Sequence, residues 1–225
     1  LMRYFLSRAT ASGAQIAYKT KVVGLERTTG GYRVSVADDS GTFSFTSQVV
    51  INCAGLHCHE IAKLAGINIA EAGYKLHYCK GEYFSLPSSK ARLVSRLIYP
   101  APLPKLASLG IHLTLDLDGR ARLGPSLQYV DSIDYTVDTE HKQLFYQAAK
   151  RYLPAIDYHD LEPEMAGIRP KLQEPGGEVR DFIIQEESTR GLPGLINLIG
   201  IESPGLTASP AIAEYVSGLA EEALS

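Results

Sequence analysis

Cysteine is scarce in this chain. Cys53, Cys58 and Cys79 are its only three, an odd number without disulfide spacing. A disulfide-stapled secreted scaffold is therefore not expected. The expected setting is intracellular and cytoplasmic, with the mitochondrion left open. No apolar run approaches the roughly 18 residues that a spanning helix needs. Positive charge is not in excess either: the formal net charge is −3 and no basic run occurs, which argues against nucleic acid as the main partner. No segment repeats and none is of low complexity. Also missing is any Gly-x-Gly-x-x-Gly opening a helix after a strand, together with the acidic residue about 20 positions on that would accompany it. The opening residues, Leu1-Met-Arg-Tyr-Phe-Leu-Ser-Arg-Ala, read as a helix from the interior of a protein. Their apolar run is too short for a signal peptide and no small-residue cleavage site follows.

What is present describes a globule with a sizeable core: 225 residues, 45% apolar and 21% charged, enough for one large domain or two small ones. Val22 to Glu26, Tyr32 to Ala37 and Thr42 to Thr46 are short β-rich runs. Turn clusters at Thr29-Gly30-Gly31 and Asp38-Asp39-Ser40-Gly41 separate them, so a three-stranded meander is expected between parallel-type strands. Residues 97–104 form a proline-punctuated loop. In Gly110 to Gly124, two apolar runs flank Asp118-Gly119, which suits a two-residue primed hairpin turn. Glu140 to Leu153 reads as one helix with Leu144, Phe145, Ala148 and Tyr152 on a stripe, and strands resume at Glu162 to Ile168 and Phe182 to Glu186.

Two segments carry a more specific signal. In Gly200-Ile-Glu-Ser-Pro-Gly-Leu-Thr-Ala-Ser-Pro-Ala-Ile-Ala-Glu-Tyr215, a glycine turn runs straight into a helix. Thr207 or Ser209 can cap that helix, and Pro210 is expected in its first turn. Leu206, Ile212, Tyr215, Val216 and Leu219 should form its buried face. A helix N-terminus reached by a turn of small residues offers backbone N–H groups to an anion. In Gln48-Val-Val-Ile-Asn-Cys-Ala-Gly55, an apolar run ends in small residues that let a ligand approach the backbone at a strand's carboxyl end.

Both segments, with the strand pair in Gly13 to Glu26, resemble motifs of the D-amino-acid-oxidase-like FAD-dependent oxidoreductases. The three occur in the family's order, and the resemblance extends over nearly the whole chain. It implies a partial FAD-binding, Rossmann-like α/β domain with a β-meander over residues 1–73. An antiparallel β substrate domain with flanking helices would cover 74–191, and 192–225 would return to the FAD-binding domain. FAD is the implied cofactor, contacted at Val22, Ala54 and Gly55 and at the turn of Gly205, Leu206 and Thr207. Because the Gly-x-Gly-x-x-Gly unit is absent, the chain reads as the C-terminal part of such an enzyme. A second chain supplying the dinucleotide-binding unit is then a partner to expect, and the sheet should leave apolar surface uncovered at residues 49–51 and 196–198.

Two residues stand out for chemistry. In Gly167-Ile-Arg-Pro-Lys171, a guanidinium presents a planar fork that holds a carboxylate at two points. In the family an Arg in a similar Gly-x-Arg-Pro setting binds the substrate carboxylate, so Arg169 is the candidate here. Its structural alternative is an ion pair with Asp181 or Glu186, and Lys171 is a weaker candidate for a second carboxylate. Oxidising a secondary alcohol requires removal of the hydroxyl proton, which an imidazole can accept near neutral pH. His112 lies in Gly-Ile-His-Leu-Thr, a motif resembling the L-2-hydroxyglutarate dehydrogenase branch, and His77 is its substitute. Cys53, His57, Cys58 and His59 lack a second ligand pair at finger spacing, so no metal site is expected. Glu186 and Glu187 read as a solvated strand end.

The expected function is oxidation of a small 2-hydroxy acid, L-2-hydroxyglutarate-like, by hydride transfer to flavin, with Arg169 as clamp and His112 as base. Amine or amino-acid oxidation, glycerol-3-phosphate oxidation within the same family, and a non-catalytic fragment or partner subunit remain open alternatives.

Overall fold

The computed structural model describes residues 1–101 and 110–225. Residues 102–104 of the proline-punctuated loop lie outside the described residues. In chain order the elements begin with α1 (Met2–Ala11), β1 (Lys21–Thr28), β2 (Gly31–Asp38), β3 (Gly41–Ser47), β4 (Val50–Asn52) and α2 (Cys58–Leu64). There follow β5 (His77–Ser85), α3 (Ser88–Ala91), β6 (His112–Leu115), β7 (Ala121–Gly124), β8 (Gln128–Val130) and α4 (Lys142–Lys150). The chain closes with β9 (Glu162–Lys171), β10 (Ile183–Glu187), β11 (Leu192–Ile199) and α5 (Gly205–Leu224). They form two compact units, one of Leu1–Ala72, Ile184–Leu198 and Pro210–Ser225, the other of Gly73–Ile183 and Ile199–Ser209. No helix among the described residues is long and apolar enough to cross a membrane.

In the first unit, β1, β2 and β3 form the expected antiparallel meander. Leu25, Tyr32, Val34 and Val36 supply its buried face. The turn between β2 and β3 is set by Asp38, whose carboxylate accepts the Ser40 N–H at 2.7 Å. A second sheet runs β10-β11-β4, with β11 parallel to β4 in the register Leu195↔Val50 and Asn197↔Asn52. The expectation of uncovered apolar surface meets a mixed result. Ile51 on the edge strand β4 is 44% exposed, but Ile196 and Leu198 on the central strand β11 are buried.

Glu187 is the clearest correction in this unit. It is no solvated strand end: it is fully buried and closes a polar network. Its carboxylate accepts from Asn197 Nδ2 at 2.8 Å and from Arg190 at 2.6 Å. Asn52 Nδ2 in turn donates to Asn197 Oδ1 and to the Cys58 carbonyl, and Asn52 Oδ1 accepts the Ala54 N–H. A buried carboxylate is tolerated when each oxygen has a donor. The network pins the Asn-Cys-Ala-Gly loop at the end of β4.

The second unit is built on β5, which pairs antiparallel with β7, β8 and β9, while β6 extends the sheet beyond β7. One face of the sheet carries the core: Phe84, Leu113 and Leu123 pack with Phe145, Ala149 and Leu153 from α4 and its C-terminal turn. The Phe84 and Phe145 rings lie 4.6 Å apart. The helix is shorter than expected, with a 3-10 turn over Thr139–His141 before it, and Leu144 faces solvent. Of the expected stripe, Phe145 is fully buried and Ala148 and Tyr152 pack against the core, which Ala149 and Leu153 complete.

The β6–β7 hairpin forms, with a different turn. Asp116 and Arg120 close it through Asp116 N–H to the Arg120 carbonyl, and the Asp116 carbonyl accepts the Gly119 N–H. Gly119 is left-handed at φ 76°, so the loop has three residues and ends in a glycine bulge. The Asp116 carboxylate selects this form by accepting the N–H groups of Asp118 and Arg120, each at 2.9 Å.

Helix α5 starts at Gly205, earlier than expected, which puts Pro210 in its second turn. The missing Pro210 N–H leaves the Leu206 carbonyl without its usual partner, and the Ser209 hydroxyl donates to it at 2.8 Å. Ile212, Val216 and Leu219 form the less exposed stripe, while Leu206 and Tyr215 point to solvent.

Candidate active site

The face of the five-stranded sheet opposite the core carries both candidate residues, His112 and Arg169. Side chains alternate along a strand, so burial of Leu113 and Leu123 places His112 and Thr114 on the other face. His112 pairs with Gly124, and Cys79 on β5 pairs with Arg169 on β9. Gly124 is required for the close approach made there. It sits at φ 144°, and a Cβ would meet the Tyr83 ring at 2.6 Å and the Glu82 carbonyl at 2.7 Å. Tyr83 thus lies against the β7 backbone beside the position that His112 faces.

One cavity of about 170 Å³ is lined by both candidate residues, His112 and Arg169, with Cys79, Gly81, Ser126 and Ser203 around them. Ser203 lies immediately before the Pro204-Gly205 turn. His112 is 8% exposed. Its Nδ1 lies 3.0 Å from the Gly110 carbonyl oxygen, which can only accept, so the ring proton resides on Nδ1 and the Nε2 lone pair is left available. The Tyr99 ring stacks on the imidazole with centroids 4.1 Å apart, fixing its plane. Burial holds the His112 pKa below the ordinary histidine range; the Gly110 contact opposes that and the Arg169 guanidinium adds to it. Tyr152 donates to the Ile111 carbonyl at 3.1 Å, beside His112. Burial pushes that phenol up to about 12, which keeps it a donor.

Arg169 does not pair with Asp181 or Glu186. Its nearest carboxylate is Glu202, at 3.9 Å. Glu202 is held more closely by Lys171, whose Nζ donates to it at 2.8 Å. Glu202 escaped the sequence reading because it sits inside the glycine turn, where only the backbone drew attention. His77 pairs with Lys171 in the β5–β9 ladder and is not among the residues lining the cavity.

The candidate cofactor residues fall in two places. In the first unit, Val22 and Ala54 line one groove of about 770 Å³, with His57, Ile61 and Leu64. Gly55 next to it is left-handed at φ 55°, and a Cβ there would meet nothing within 4 Å. In the second unit, Gly205, Leu206 and Thr207 line a cavity of about 370 Å³. Gly205 N–H donates to the Glu202 carbonyl and Ala208 N–H to the Pro204 carbonyl. The amides of Leu206 and Thr207 remain, as the first N–H groups of a helix have no partner within it.

Residues 1–219 match the family model described as DAO, FAD dependent oxidoreductase. The chain belongs to the FAD-dependent oxidoreductase family. Within that family, it is 40% identical over 180 residues to the mitochondrial L-2-hydroxyglutarate dehydrogenase of Arabidopsis thaliana, covering 75% of this chain and 37% of that protein. It is 25% identical to the L-2-hydroxyglutarate dehydrogenase of Salmonella houtenae, covering 93% of the chain and 56% of that protein. The glycerol 3-phosphate dehydrogenase of Caloramator mitchellensis is 29% identical over 92% of the chain and 40% of its own length. The chain thus spans about half, or less, of the length of these relatives. Among solved structures, glycine oxidase from Bacillus cereus superposes with a TM-score of 0.70 at 22% identity, over 98% of this chain and 55% of that one. The FAD-bound L-alpha-glycerophosphate oxidase of Mycoplasma pneumoniae superposes with a TM-score of 0.68 at 21% identity, over 95% and 53%. These likenesses establish the fold of the family: α/β with antiparallel sheets.

Proposed function

We propose that this chain serves the oxidation of a small 2-hydroxy acid, with L-2-hydroxyglutarate the first candidate, in an FAD-dependent reaction. The observation that carries the reading is one cavity lined by a guanidinium and by a buried imidazole whose Nδ1 is held by the Gly110 carbonyl, with no partner on Nε2 among the described residues. The names of the relatives supply the candidate substrate.

Arg169 binds the substrate carboxylate through its planar fork, which fixes the orientation of the neighbouring hydroxyl-bearing carbon. His112 Nε2 takes the hydroxyl proton. Its depressed pKa keeps the ring neutral, and Nδ1, anchored on Gly110, holds the tautomer. Tyr99, stacked on the imidazole, holds the plane of the ring.

The residues present fit FAD: a groove at Val22 and Ala54, an open approach at Gly55, and the first-turn amides of Leu206 and Thr207, which have no partner among the described residues, beside Gly205. When bound, FAD supplies the two-electron acceptor for the alcohol-to-ketone oxidation. The first unit is read as cofactor-holding and the second as substrate-binding.

The test is anaerobic. The protein with saturating FAD is mixed with L-2-hydroxyglutarate, glycine or glycerol 3-phosphate, and loss of flavin absorbance is followed. Bleaching by the 2-hydroxy acid alone is expected; bleaching by glycine or glycerol 3-phosphate instead would contradict the assignment.

A further inference from the structure

Beside the cavity, β9 presents two cations on one face, Arg169 and Lys171, two residues apart and therefore aligned. A substrate with two carboxylates would find a natural pair of partners there. The protein has already placed a carboxylate of its own against them. Glu202 Oε1 accepts from Lys171 Nζ at 2.8 Å, and Glu202 Oε2 lies 3.9 Å from Arg169. The Lys171 side chain is 9% exposed and that of Glu202 is 14% exposed, so the pair is shielded from water; the Arg169 side chain, at 39%, is open to a ligand. Two positive groups and one negative group leave a single net positive charge, and it resides on the accessible one.

We propose that Glu202 occupies Lys171, so that any substrate, the dicarboxylate L-2-hydroxyglutarate included, is clamped at this site through one carboxylate only, the one held by Arg169. This rests on Arg169 being the carboxylate clamp, and it deepens that reading by assigning the number of carboxylates the clamp accepts. The shielded Lys171–Glu202 pair persists because separating it would leave an uncompensated charge in a poorly hydrated site. The second carboxylate of a dicarboxylate therefore gains nothing from Lys171. The same pair ties the turn leading into α5 to the strand that carries Arg169.

The proposal is tested by protein-observed NMR titration of the full chain with two unreactive probes of similar length, butyrate and glutarate. In Glu202→Gln, Lys171 becomes available to a second carboxylate. The glutarate-to-butyrate affinity ratio is expected to rise about tenfold, the scale of one charge-assisted hydrogen bond. In Lys171→Met, Glu202 is left facing Arg169, and both probes are expected to weaken together with their ratio kept within about twofold of wild type. An unchanged ratio in Glu202→Gln, or a selective loss of glutarate in Lys171→Met, would overturn the proposal. Should Glu202→Gln lack a cooperative melt, the Lys171→Met arm decides alone. Arg169→Ala separates the two claims: if it leaves both affinities unaltered, the clamp itself is misassigned and both readings fall.

Discussion

At the residue scale, the site pairs one exposed cation with one buried neutral base. On the proposed reading Arg169 binds and orients the substrate carboxylate, so Arg169→Ala is expected to raise KM for a 2-hydroxy acid by about 10- to 100-fold, with a smaller loss of kcat. Steady-state kinetics with saturating FAD measure this, and an effect on kcat alone would assign Arg169 elsewhere. His112 also makes a prediction about stability. Its folded pKa lies below the unfolded value of 6.5, so the unfolded chain binds the extra proton first as pH falls. The contribution is fully present above the unfolded pKa and is lost as pH falls through the folded one. Urea unfolding of wild type and His112→Gln should therefore converge as pH drops from 7 toward 5; parallel curves would show that burial does not depress this histidine. The family resemblance and the chemistry of a guanidinium and an imidazole singled out Arg169 and His112 as candidates, and the fold brings both to one cavity. Glu187 and Glu202 were not legible in this way, because a charged residue reads as solvated until the fold shows the partners that bury it.

At the scale of elements, short-range signals located the strands well and the helix boundaries less well. The meander and the β6–β7 hairpin follow from alternation and turn chemistry local to a few residues. The hairpin's turn type did not, since Asp116 lies outside the Asp-Gly pair and bonds to two amides across it. Helix α5 was placed too late because Pro210 normally marks a first turn, whereas the Ser209 hydroxyl here satisfies the carbonyl that proline abandons. Helix α4 holds the sheet from the face opposite the site, chiefly through Phe145 on Phe84. Phe145→Ala should cost about 3–5 kcal/mol. A loss below 1 kcal/mol in chemical denaturation would mean that this core does not support the sheet.

At the scale of the whole molecule, family membership and fold follow from the match over residues 1–219 and from the two superpositions. The sequence has no Gly-x-Gly-x-x-Gly to bring a helix N-terminus to a pyrophosphate, so these 225 residues are expected to bind FAD weakly. Flavin retained stoichiometrically through gel filtration would refute that expectation. The central claim is that Arg169 and His112 serve one ligand in one cavity. It is tested most directly by following the His112 ring resonances while the chain is titrated with L-2-hydroxyglutarate. The account predicts a saturable shift of the His112 signals that disappears in Arg169→Ala; an unmoved His112 in wild type, or a shift that persists undiminished in Arg169→Ala, would contradict it.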